Sequence, residues 1–362
     1  MWTAVLSLLA IVLIGLLNLR NAAEYASESF HQTQVLWVVI GLLVAMAVSV
    51  LDLRFFERLA PVFYWGAVLF LLLVLFFGRE SHNARRWFDL GDIAFQPSEF
   101  AKPALVLFLA RYFHGERNPE RYTLRKLLKP MAYMGLPAVM ILLEPDLGTT
   151  LVLISVGFSI MFFEGMRMRS FLKLLGIIAV VVPLAWHFNV IKPYQKERVS
   201  VWLDMARSGP DGHKKKNLGK GMQPEQALWA VGSGRLLGKG GLQGVQSRLK
   251  YLPEMHTDFI IATYAEERGF VGCVFLLMLY LGLVVSLLMV AVKARERFAV
   301  LVSVGAVAII LWQMVFNIGM VLGLLPVVGL TLPFMSYGGS ATISAMFAVG
   351  LALNAGIHKG QV

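Results

Sequence analysis

This sequence is short of cysteine and short of charge. It holds one cysteine, Cys273, inside an apolar run. A disulfide framework and a cysteine-based zinc site are thereby excluded. Charged residues make up 15% of the chain, against about a quarter in soluble globular domains. No Gly-Lys-Ser/Thr follows four residues after a glycine, and no Rossmann unit surrounds the glycine-rich stretch, so the sequence carries no Walker-type phosphate loop. Acidic residues are the scarcer sign, 22 against 33 basic, for a net charge of +11. The N-terminus lacks a basic n-region, so the first apolar run is expected to be a retained helix, not a cleaved signal peptide.

What is present is apolar. Of 362 residues, 57% are hydrophobic, and the mean hydropathy is +0.68. The apolar residues gather into runs of about twenty, the length that crosses a bilayer. The expected fold is an all-α polytopic membrane protein, a single integral domain over 1–362, with spans near 2–19, 34–51, 61–77, 99–113, 131–143, 149–163, 173–188, 268–292, 299–323 and 341–357. Those ten helices leave one large polar loop, 189–257, between the seventh and eighth. In the short connections, fifteen Lys or Arg fall on one side and four on the other. The bias places both termini in the cytoplasm and the large loop outside. That loop carries twelve Lys or Arg. It is either merely solvated or faces an anionic partner such as a diphosphate or lipid headgroup. No nucleic-acid partner is expected.

Ionisable residues at membrane depth are costly and point to function by default. They fall in four places, all on the outer side. In the first, Asn83 to Lys102, Ser98 is expected to cap a helix whose first turn holds Glu99. Glu99 and Lys102 are three apart and can pair on one face, either for function or only to permit burial. In the second, Glu144-Pro-Asp-Leu-Gly148, turn chemistry explains most of the residues, although Glu144 and Asp146 suit a cation. The third runs from Tyr194 to Asp258 and includes Arg198 and Lys239. Its six glycines between Gly232 and Gly244 would let backbone amides converge on an anion. The run Lys214-Lys215-Lys216 reads as a solvated insert. Asp258, at the mouth of an apolar helix, is either a cap or a base raised in pKa by partial desolvation. The fourth, Gly329 to Ser340, mixes Pro and paired Gly among apolar residues. It predicts non-helical backbone lining a groove, with Ser336 as a candidate substrate contact.

These motifs together resemble the SEDS (shape, elongation, division and sporulation) family. The resemblance rests on Trp87-Phe-Asp-Leu-Gly91, Gln96-Pro-Ser-Glu-Phe-Ala-Lys102, Glu144-Pro-Asp-Leu-Gly-Thr149 and Leu252-Pro-Glu-Met-His-Thr-Asp-Phe-Ile260. It is completed by Asn317-Ile-Gly-Met320, Leu325-Pro-Val-Val-Gly329 and Leu332-Pro-Phe-Met-Ser-Tyr-Gly-Gly-Ser340. Tyr264 to Gly272 resembles the elongation branch more than the division branch. The resemblance implies a peptidoglycan glycosyltransferase of the bacterial inner membrane. Such an enzyme polymerises lipid II and releases undecaprenyl diphosphate during cell-wall elongation. It further implies a divalent cation (magnesium), a class B penicillin-binding protein that crosslinks the product, and other membrane proteins of the elongation complex. By motif, Asp258 matches the essential acidic residue, and Glu99 and Lys102 match the family's important pair. Arg198 and Lys239 are then candidates to stabilise the departing diphosphate. Arg235 replaces a usual glycine, Arg268 a usual leucine, and 209–223 is longer than expected. The rival reading is a flippase for the same lipid-linked precursor. The concentration of charge at one face favours the enzyme.

Overall fold

The computed structural model describes residues 2–26, 30–81, 84–91, 93–116, 121–188, 192–208, 222–244 and 254–357. The membrane helices are α1 (Trp2–Ala26), α2 (Phe30–Val50), α3 (Leu53–Phe77), α4 (Pro97–Gly115), α5 (Leu124–Leu143), α6 (Leu147–Phe163) and α7 (Met168–His187). After α8 (Pro193–Ser208) and α9 (Met222–Ser233), both within the large loop, come α10 (Ile260–Lys293), α11 (Arg297–Val321) and α12 (Gly339–Ile357). Eight of these are long and apolar enough to cross a bilayer. The other two membrane helices are α6, apolar but only 17 residues long, and α4, which carries Glu99 and Lys102. The expected ten are therefore all present among the described residues. Half of them start four or more residues ahead of the hydropathy signal, α3 and α10 by eight. Hydropathy marks the part of a helix in hydrocarbon, whereas the helix itself extends into the polar boundary.

Helix α11 lies at the centre, with 72% of its apolar window buried, and α7 at the periphery, with 12%. Around α11 pack α4, α6, α10 and α12, and α12 lies along α2. Apolar side chains such as Val62, Trp65 and Phe76 on α3 face outward, as helices in contact with lipid require. At one end Arg111 ties α4 to α3 by donating to the Glu57 and Arg58 carbonyls at 3.0 and 2.8 Å.

At the opposite end the chain departs from a purely helical reading. Strands β1 (Arg79–Ser81), β2 (Ala84–Leu90) and β3 (Ile93–Phe95) form an antiparallel sheet in that order. The sheet delivers the chain to Pro97, the first residue of α4. Ser98 is not the N-cap: Gln96 holds that position, without a side-chain cap bond. The fixed φ and missing N–H of Pro97 suit a first helical position. Ser98 instead lies buried in the first turn. The run Lys214 to Lys216 and most of the 209–223 insert lie outside the described residues.

Candidate functional site

Asp258 belongs to a turn, 254–259, that leads directly into α10. Three neighbours fix this turn. Asn317 of α11 donates through Nδ2 to the Asp258 carbonyl at 3.0 Å and to the Leu330 carbonyl at 2.6 Å. Ser336 donates through Oγ to the Thr257 carbonyl at 2.6 Å and accepts from the Leu332 amide at 2.8 Å. The His256 ring stacks on Phe30, with centroids 4.7 Å apart, and its carbonyl accepts from the Tyr337 amide at 2.9 Å. Segment 322–338 is non-helical, which includes most of the expected Gly329 to Ser340, and it cradles the turn; Gly339 and Ser340 already belong to α12. Gly329 stands at φ 74°, and a Cβ there would lie 3.3 Å from an Asp258 carboxylate oxygen. Glycine supplies both the left-handed backbone and the room.

Beside this turn lies a second one, between α5 and α6. Asp146 caps α6: its Oδ1 accepts from the Thr149 amide at 3.0 Å, and its Oδ2 from the Thr149 hydroxyl at 2.9 Å. Gln96, just ahead of α4, reaches Asp146 Oδ2 at 3.3 Å. From β2, Arg86 donates through Nε to the Glu144 carbonyl at 2.9 Å and through Nη2 to the Pro145 carbonyl. The Glu144 side chain is buried, and neither carboxyl oxygen has a hydrogen-bond partner among the described residues.

These turns and α8 form one electrostatic unit. Burial pushes the Asp258 carboxyl from 3.8 up to about 7; the charges of Glu254 and Asp146 push the same way, while Arg198 and Arg86 pull it down. Burial pushes Glu144 from 4.5 up to about 9, aided by Asp146 and opposed by Arg86. Burial lowers Arg198, the Arg86 charge lowers it further, and Asp258 acts against both. The site therefore offers a carboxyl poised near neutrality beside two guanidinium groups.

The structure places the candidates named from sequence in distinct positions. Arg198 is half-buried and sits within the field of Asp258. Glu99 and Lys102 pair at 2.8 Å, both buried, one turn inward from Gln96. Ser336 is 4% exposed, with its hydroxyl committed both as donor and as acceptor. It therefore clamps the Asp258 turn. The Lys239 ammonium pairs with Glu266 at 2.8 Å, and the Lys239 and Gly240 amides donate to the Glu266 and Glu267 carbonyls. Those two amides are spent on α10 and do not cradle an anion. Arg235, where the family resemblance expects glycine, has φ 51°, a left-handed conformation that glycine adopts without strain.

Sequence reasoning did not single out Arg86 or Gln96. The available signals were their place in the polar run 83–102 and, for Gln96, its position at the head of the Gln96 to Lys102 motif. Among the described residues, no three His, Cys, Asp or Glu side chains lie close enough together to hold a metal ion. Asp146, the best-placed carboxylate, already has both oxygens engaged. A resident three-ligand magnesium site therefore does not fit these residues.

A family model described as cell cycle protein, covering FtsW, RodA and SpoVE, matches residues 1–361. The chain belongs to this family. Among curated FtsW/RodA/SpoVE-type proteins, the chain is 35% identical over 357 residues to the peptidoglycan glycosyltransferase MrdB of Escherichia coli strain K12, covering 99% of this chain and 93% of that protein. It is 36% identical over 361 residues to the probable peptidoglycan glycosyltransferase FtsW of Thiomicrospira cyclica, covering 96% and 89%. The rod shape determining protein RodA of Thermus thermophilus matches with a TM-score of 0.73 at 30% identity, over 100% of this chain and 98% of that one. A chain of a peptidoglycan synthase complex, studied for its coordination of polymerization and crosslinking, matches with a TM-score of 0.83 at 33% identity, over 100% and 99%.

Proposed function

We propose that this FtsW/RodA/SpoVE protein is a peptidoglycan glycosyltransferase of the elongation type. It polymerises lipid II and releases undecaprenyl diphosphate. The observation that carries the reading is the Asp258 carboxyl, set at the mouth of α10 by the Asn317 and Ser336 hydrogen bonds and lying within the fields of Arg198 and Arg86. In the reaction the acceptor 4-hydroxyl attacks C1 of the donor sugar. Its proton passes to Asp258, the C1–O(phosphate) bond breaks, and the diphosphate departs with its lipid. A base with a pKa near the working pH serves the first step. Two guanidinium groups serve the last by stabilising the developing charge.

This reading sets the reaction in the bacterial cytoplasmic membrane, with the site on the outer face and both termini in the cytoplasm, and the distribution of Lys and Arg in the short connections supports it. A class B penicillin-binding protein is the proposed partner, supported by the likeness to the synthase complex.

The test is purified protein with lipid II in detergent, where no compartments exist. Glycan strands are expected from the wild type, and Asp258→Asn should lower their yield to below about a tenth. Activity should rise with pH through about 7 as Asp258 ionises. A folded, stable protein that makes no strands would favour the flippase reading. Asp258→Asn with near-normal output would remove the base.

A further inference from the structure

Helix α10 is broken at Gly269, where φ is 65° and ψ is −167°. A break leaves carbonyls before it and amides after it without their usual i→i−4 partners, which is costly at membrane depth. The loop 234–242 supplies the replacements. Phe270 donates to the Arg235 carbonyl at 2.8 Å and Val271 to the Leu236 carbonyl at 3.0 Å. In return the Glu266 and Glu267 carbonyls accept from the Lys239 and Gly240 amides at 3.0 and 3.1 Å. In an unbroken helix, these two carbonyls would have bonded to Phe270 and Val271 themselves. The loop is thus spliced into the helix's own hydrogen-bond ladder.

Side chains reinforce the splice. Lys239 pairs with Glu266 at 2.8 Å. Glu267 accepts from Asn21 of α1 at 2.7 Å and from the Leu242 amide at 3.3 Å. The two glutamates are 0% and 2% exposed. A Cβ at Gly238 would fall 2.2 Å from the Glu267 carbonyl oxygen, and one at Gly269 would fall 2.3 Å from the Gly238 nitrogen. Only glycine permits so close an approach of backbone to backbone. A continuous helix would cross the membrane with its backbone satisfied and without burying these charges. The break and its splice therefore serve something other than spanning.

What they bound is a short rod. Residues 260–268 are about 13 Å long at 1.5 Å per residue. At the near end Asn18 donates to the Ile260 carbonyl at 3.1 Å and Asn317 to the Asp258 carbonyl at 3.0 Å. The splice holds the far end. We propose that Glu266 and Lys239 are positioning residues that set the rotation and axial place of this half-helix, and so aim the Asp258 carboxylate at the acceptor hydroxyl. The proposal rests on the reading of Asp258 as the base.

The test uses the full chain in detergent with lipid II and compares Glu266→Gln, Lys239→Met and Lys239→Arg. The first two should lower kcat per folded molecule by about fivefold or more while KM changes less than about twofold. They should also move the limb of the pH–rate profile near neutrality. Asp258 would shift relative to Glu254 in its own turn, Arg198 on α8, Asp146 between α5 and α6, and Arg86 on β2. Lys239→Arg keeps the charge and should restore most of the rate. Hydrogen exchange in Glu266→Gln should rise both at 264–272 and at 254–263. An unchanged kcat and pH profile in folded variants would overturn the proposal, as would faster exchange confined to 264–272. Wild-type protein that makes no glycan would instead overturn the glycosyltransferase reading, leaving the exchange experiment to decide the mechanical coupling.

Discussion

Glu144 is the side chain whose surroundings least suit its charge. It ends α5, where the helix dipole is negative. It is buried, and Asp146 stands two residues on. Its carboxyl is pushed from 4.5 up to about 9, so the folded protein holds it neutral at pH 7. The sign follows from linkage. A raised folded pKa gives stability that is complete below 4.5 and is lost as pH climbs towards 9. At about 1.4 kcal/mol per unit, the loss by pH 7 is on the order of 3 kcal/mol. Glu144→Gln, which cannot ionise, should therefore melt higher than wild type at pH 8, with the gap closing as pH falls towards 5. A gap that does not change with pH would mean that Glu144 is already ionised in the fold. Asp258 differs: it is half-buried and shares its surroundings with two arginines, which leave it able to gain and lose a proton near neutrality.

At the scale of the element, α4 shows how far local sequence can be read. The i, i+3 spacing of Glu99 and Lys102 implied a shared face, and the two meet at 2.8 Å. Both are buried, so removing either strands a charge, at a cost of about 3–5 kcal/mol. Glu99→Ala and Lys102→Ala should each lower the melting temperature strongly. The double variant should lose less than the two single losses added, by about 0.5–3 kcal/mol. Strict additivity in thermal melts would show that the pair does not couple. Other parts of the same region were not legible. The 79–95 sheet is built from strands of 3, 7 and 3 residues, and the outer two are too short to leave a periodic signal. The glycine-rich loop read as an anion cradle because glycines serve any close backbone approach. The sequence does not say whether a ligand or a helix is what approaches.

At the scale of the whole molecule, ten spans are an even number, so residues near 2 and near 357 lie on the same side of the membrane. With Lys and Arg concentrated in the connections on that side, the side should be the cytoplasm. Green fluorescent protein fused at the C-terminus should glow, and alkaline phosphatase at the same position should stay inactive. The reverse pattern would overturn the orientation and move the Asp258 site to the wrong face for wall synthesis.

Length and apolarity determined most of the membrane helices, because a helix in lipid must satisfy its own backbone and cover it with apolar side chains over a fixed thickness. The non-helical backbone from Gly329 was equally legible, since Pro and Gly act locally on the backbone, although the segment begins earlier, at 322, and the helix resumes at Gly339. Asp258 was legible as well, because a carboxylate at the mouth of an apolar helix is costly wherever it packs. Arg86, however, joins the site through carbonyls at 144 and 145, and Lys239 pairs with Glu266. Ser336 turns inward to hold Thr257. Those assignments depend on which distant segments meet, and only the tertiary structure decides this, because a hydrogen bond is set by distance in space and not by separation along the chain.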